Sequence, residues 1–275
     1  MDKRHSYFRP IVAAFCAVVA LLACSSPQVT HLSTAPAEQL SLRLSFTNLL
    51  TPAAEVIVDV VVSSDPNTRV ALSGNQRLTV NGRAPDFSPL VGVGGAYRFT
   101  VPRSSTGGEY TIVYTDERGQ QTSVVVPAPQ HDLTITAPAA HAQVPIPAPG
   151  APLTLRYTAP ELFPATARPP NFPYTRIDAG VEGHCRASRP DGISASVPSC
   201  ISLGSTQPDE SGVAVISDTG ALPEYGFSNL APGAGKLYVR VDVNGEMPPA
   251  GFVSVLLMVS DVVDIPITWV SVDSP

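Results

Sequence analysis

An all-β fold is what this 275-residue chain predicts, and three observations carry that expectation. Its 29 prolines are too dense for long helices, where each interior proline costs about 3 kcal/mol. Apolar and polar residues alternate with a period of two in several separate runs. Turn-forming sequences fall between those runs. With 44% hydrophobic and 15% charged residues, the chain has material for one or two domains with real cores. Its formal charge is -6, and Lys3 and Lys236 are the two lysines among 17 basic residues. Nucleic acid as a partner therefore has no electrostatic support.

The amino terminus is a targeting segment. Lys3, Arg4 and Arg9 precede an apolar run over residues 11–23, which is too short for a bilayer core that needs about 20 residues. The run ends Leu21-Leu22-Ala23-Cys24, followed by Ser25 and Ser26. That exit resembles the lipobox of bacterial lipoproteins. The resemblance implies cleavage before Cys24, a lipid thioether on its sulfur and usually an acyl chain on its amino group. One chain anchors only marginally, whereas two or three hold a protein on a membrane. Ser25, in place of aspartate, resembles the pattern of lipoproteins passed to the outer membrane of diderm bacteria. In a host with one membrane the same anchor leaves the protein on that membrane's outer face. Residues 1–23 are thus read as signal peptide and 24–37 as the lipidated cysteine with a flexible tether. Without the signal, 14 basic and 22 acidic residues remain, a charge near -8.

The first globular unit is expected over residues 38–127. Leu40, Leu42, Leu44 and Phe46 alternate with polar residues, as do Val56, Val58, Val60 and Val62 in part, and each reads as a half-buried strand. Asn81-Gly82 is a hairpin signal. Tyr110, Ile112 and Tyr114 form another alternating run before the turn Asp116-Glu117-Arg118-Gly119, with Thr122, Val124 and Val126 beyond it. The approach Thr106-Gly-Gly108-Glu-Tyr110-Thr-Ile112 resembles the last-hairpin corner of immunoglobulin-like domains. The resemblance implies that the Tyr110 hydroxyl bonds back to upstream backbone and pins the corner. Ile112 stands where that family commonly has cysteine, so the inter-sheet disulfide is absent while the sandwich is retained.

A stiff connection over residues 127–130 leads to a second unit, residues 131–275. Leu133 and Ile135, then Leu153, Leu155 and Tyr157, start it. A proline-rich insertion, 159–174, interrupts it. Strand pattern returns near residues 176–182, near 212–217 and at Leu237, Val239, Val241 and Val243, after which Asn244-Gly245 signals a turn. Leu256-Leu257-Met258 reads equally as a short buried helix or a strand. Ile265, Ile267 and Trp269 close the chain, with Pro266 suggesting an edge strand. The stretch from Phe227 to Gly233 resembles the turn before a late strand in transthyretin-like sandwiches. The expectation is therefore two immunoglobulin-like β-sandwiches after a signal peptide and tether.

Chemistry-bearing residues are few. Cys16 leaves with the signal and Cys24 takes the lipid, so Cys185 and Cys200 remain as an even pair in an exported chain. Bridged, their loop of about 15 residues would contribute roughly 3 kcal/mol; two free thiols are the plainer alternative. His184 adjoins Cys185, but neighbours on a strand face opposite ways, which disfavours a nucleophile and its base. His31, His131 and His141 lie in segments read as tether, connector and loop. No serine-nucleophile elbow, zinc helix or cofactor motif is present. Asp242-Val-Asn244-Gly245-Glu246, Asp209-Glu210 and the pair Asp261 and Asp264 are calcium candidates weighed against ordinary solvated turn residues. Phe163, Phe172 and Tyr174, with Tyr225 and Phe227, are a candidate docking surface for sugar or peptide, against the duller reading of loop packing. The sequence points to a non-catalytic, lipid-anchored envelope protein with an unidentified protein or glycan partner and no cofactor. A carbohydrate-binding module is the alternative, and an envelope hydrolase the weakest reading.

Overall fold

The computed structural model describes residues 28–31, 35–65, 68–87, 95–105, 107–148, 150–158, 162, 174–185, 199–202, 212–216, 227 and 230–271. Its strands are β1 (Gln28–His31), β2 (Ser41–Thr47), β3 (Glu55–Asp65), β4 (Thr68–Ala71), β5 (Arg77–Val80), β6 (Tyr97–Pro102), β7 (Glu109–Thr115) and β8 (Gln121–Pro127). There follow β9 (Thr134–Ala137), β10 (Gln143–Pro145), β11 (Leu153–Thr158), β12 (Tyr174–Cys185), β13 (Ser199–Ser202), β14 (Val213–Ile216), β15 (Leu230–Met247) and β16 (Ser254–Val270). A single 3-10 turn, Ala37–Gln39, is the one helical element among the described residues. The fold is all-β, built as two immunoglobulin-like sandwiches.

In the first sandwich β3 pairs with β2 on one side and with β4 and β6 on the other, while β5, β7 and β8 form the facing sheet. This is the immunoglobulin arrangement of strands A, B and E over C, F and G. The alternation explains why. Leu42, Leu44 and Phe46 on β2 and Val56, Val58, Val60 and Val62 on β3 are buried, and they meet Tyr110, Ile112 and Tyr114 of β7 across one core. The Phe46 and Tyr110 rings touch edge to face, their centroids 5.7 Å apart. Asn81 and Gly82 adopt positive φ (50° and 74°), as a primed two-residue turn requires, and Val80 and Arg83 exchange backbone bonds around them. Asp116 closes the next turn: its carbonyl accepts from Gly119 and its carboxylate from the Arg118 and Gln120 amides.

The second sandwich repeats the plan. One sheet orders β14, β11 and β9; the other runs β13, β12, β15 and β16, with β10 adding in parallel to the far part of β16. The hairpin of β15 and β16 is unusually long, at 18 and 17 residues. Its outer part passes the second sandwich and lies on the first: Ser254 to Val259 pair in parallel with Ser41 to Phe46 of β2. The result is one ten-stranded sheet shared by both halves and one continuous apolar core.

Four local expectations are corrected, and one reading left open between helix and strand is decided. The segment read as tether contains β1, paired in parallel with β4, and the buried residues Ala35 and Ala37. Asn244 and Gly245 do not turn; they continue β15 opposite Met258 and Leu257, because the inward row Val241, Val243 and Met247 carries the ladder through them. Leu256, Leu257 and Met258 are strand. Gly233 (φ 138°) lies within β15, opposite Trp269, so the piece from Leu230 onward is strand as well. Pro266 sits in a strand that is central overall. Its missing N–H falls in a local gap, where β2 has left after Val259 and β10 has not joined until Thr268, and its carbonyl accepts from His141 N–H at 2.6 Å.

Candidate functional site

The most connected polar structure in the described residues lies where the two sandwiches meet. Along β16 the inward row reads Val255, Leu257, Val259, Asp261, Val263, Ile265, Ile267 and Trp269, so one carboxylate stands in an otherwise apolar series. Asp261 is 2% exposed. Its two oxygens each accept a backbone N–H at 2.6 Å, from Asn48 and from Leu50, in the loop that follows β2. Asn48 takes a positive φ of 65°, in the left-handed region that asparagine tolerates better than most residues. Burial pushes the Asp261 carboxyl above the ordinary range, while those amides and the Arg103 charge pull it back in part.

Arg103, just past β6, grips the same loop from the other side. Its guanidinium donates to the carbonyls of Asn48, Leu49 and Thr51 and pairs with Asp132 at the start of the second unit. Leu133 N–H then donates to the Leu50 carbonyl at 2.6 Å. The loop of residues 48–51 is thus clamped between Asp261 of β16, Arg103 of the first half and Leu133 at the start of the second unit. The outer end of the joint is apolar: Phe252, in the turn between β15 and β16, lays its ring edge against Tyr114 at 6.2 Å. The Tyr114 hydroxyl accepts from Gln76 and donates to the Ala35 carbonyl, and burial pushes its pKa up to about 12. Chemically, Asp261 and Arg103 hold the backbone of residues 48–51. Sequence reasoning missed this joint, although the parity of Asp261 within its apolar row was a readable signal.

Tyr110 is fully buried, and its hydroxyl accepts the Ser104 N–H at 3.0 Å, tying β7 to backbone six residues upstream. In the second half Trp269 lies over two glycines: a Cβ on Gly235 or Gly183 would stand 2.1 or 2.8 Å from its indole nitrogen. That nitrogen donates to the Glu182 carbonyl at 3.2 Å. The ring therefore fills the space those missing side chains leave.

Other sequence candidates are dispersed. Cys24, Phe163 and Phe172 lie outside the described residues, and Tyr174 opens β12 opposite Asn244. Gly183 stands directly opposite Cys200 in the β12–β13 ladder and His184 opposite Ser199. Cys185 faces Leu230 on the other side, after a register shift. Asp242 accepts from Arg240 and from the Ser260 hydroxyl, and Asp264 pairs with Lys236, so these calcium candidates are surface ion pairs. Asp209, Glu210 and Tyr225 fall outside the described residues, Phe227 is buried, and His131 is exposed. Among the described residues no group of three or more His, Cys, Asp or Glu side chains is placed to hold a metal.

No family model matches the chain, and no curated protein matches it. Among solved structures, it is similar to the three N-terminal domains of the highly immunogenic outer capsid protein of bacteriophage RB49, at 11% identity and a TM-score of 0.31. That alignment covers 86% of this chain and 71% of the other.

Proposed function

We propose that the chain is a non-catalytic lipoprotein of the bacterial cell envelope, anchored through Cys24, whose two fused sandwiches present a surface to a protein or glycan or serve the envelope's architecture. The observation that carries this reading is the sequence Leu21-Leu22-Ala23-Cys24 at the end of a short apolar run behind three basic residues. Exported, the protein sits on the outer membrane of a diderm host or the outer face of a single membrane. The clamped joint supports a presenting role, since its acid and base are spent on backbone rather than left free. Intact-mass analysis of detergent-extracted protein is the test: the expected species starts at Cys24 and carries two or three acyl chains. An unmodified Cys24, or a Cys24→Ser variant that still partitions with membranes, overturns it.

A further inference from the structure

We infer that the tip of the β15–β16 hairpin, residues 248–253, rests on the bilayer that holds the Cys24 anchor, so that the molecule stands with its second sandwich directed away from the membrane. The inference rests on the lipoprotein reading of Cys24. Sheet register supplies the orientation. Gln28, the first residue of β1, pairs with Thr68; Thr68 pairs with Asp65 of β3; Ser63 pairs with Ser41 of β2; and Ser41 pairs with Ser254 of β16. Val253 N–H donates to the Leu40 carbonyl at 2.8 Å, which sets the tip at the same level. The start of β1 and the hairpin tip therefore lie at one end of the ten-stranded sheet, four strand steps or about 19 Å apart. Cys24 precedes Gln28 by four residues, a reach of at most about 14 Å. An anchor on so short a lead keeps that end, and no other, against the lipid.

The tip is chemically suited to such a surface. From Met247 to Ser260 the sequence carries no charged residue. Pro248, Pro249, Ala250 and Gly251 are exposed, and Val253 is 59% exposed, the highest value among the described large hydrophobic residues. These groups make no hydrogen bond to water, and the acyl boundary takes apolar surface out of water. The tip is also built in advance. Phe252 N–H closes on the Pro249 carbonyl at 2.7 Å, and the Phe252 ring is seated on Tyr114, so presenting Val253 orders nothing new. Trp269, at the opposite end of β16, stands about 50 Å away along the strand.

The experiment uses the full chain, extracted from its membrane and reconstituted into phosphatidylethanolamine/phosphatidylglycerol vesicles containing a brominated phosphatidylcholine, which quenches indole within the bilayer. Intact mass first reports acylation of Cys24. In the wild type the sole tryptophan, Trp269, is expected to keep its emission; in Val253→Trp the added emission should fall at least twofold. Acylated protein with no quenching in Val253→Trp overturns the orientation and leaves the anchor standing. Equal quenching of Trp269 in the wild type means the molecule lies flat, and also overturns it. An unacylated Cys24 removes the anchor and the orientation together.

Discussion

Tyr110 and Asp261 do related work, each supplying an acceptor to backbone N–H groups and so fixing a corner of the chain. Replacing Tyr110 with Phe keeps the ring against Phe46 and deletes only the acceptor for Ser104 N–H. The expected loss is about 1 kcal/mol in a urea unfolding curve. Asp261→Asn is harsher, because an amide offers one acceptor oxygen to two inward N–H groups. A cost of about 1–3 kcal/mol at neutral pH is expected. The pH dependence has a defined sign. The folded state raises the Asp261 pKa above 3.8, so the group's contribution is fully present below that value and is lost as pH rises through the folded pKa. The stability gap between wild type and Asp261→Asn should therefore widen as pH falls from neutral toward 4. A gap that narrows over the same range contradicts the assignment.

At the scale of elements, what was readable from sequence follows from the burial of one face. β2, β3 and β7 each bury one face and wet the other, so their period-two patterns fix both their existence and their orientation. The Asn81-Gly82 turn was legible because its positive φ values demand that chemistry. Asn244-Gly245 misled for the converse reason: local turn preference is weak beside a ladder of paired strands as long as β15 and β16, and the chain turns instead where Ala250 and Gly251 take positive φ. The pairing of β2 with β16 was not legible at all. It joins residues more than 200 apart, and nothing in either strand specifies the other. Trp269 offers a test of element packing. Gly235→Ala would place a methyl into the indole and should cost about 1–3 kcal/mol, while Trp269→Ala, which empties the same slot, should cost about 3–5 kcal/mol. Non-reducing peptide mapping of envelope-purified protein should recover Cys185 and Cys200 in one linked species; two alkylatable thiols would set that pairing aside.

The molecule as a whole is one sheet with two partial covers. A linker alone would let the sandwiches reorient, but the shared ladder, the Asp261 and Arg103 clamp and the Phe252 contact tie them together across the junction. Protein beginning at residue 25 should unfold in a single cooperative transition seen equally by tyrosine and by Trp269 fluorescence. Phe252→Ala, which removes the ring from the joint, should lower stability by about 3 kcal/mol and separate the two probes. Coincident probes in that variant would show that the ladder alone couples the halves.

The parallel register of β2 and β16 has a mechanical consequence. If the first sandwich is held near Gln28 while a partner pulls on the far end of the second, the load runs along the strands, and the six pairs from Ser41–Ser254 to Phe46–Val259 resist sliding together. Hydrogen bonds that lie across the pulling direction share such a force, whereas the same bonds peeled from one end would break in turn. The joint is thus stiffest against tension along its own length, the direction in which an object tugged away from a surface would strain it.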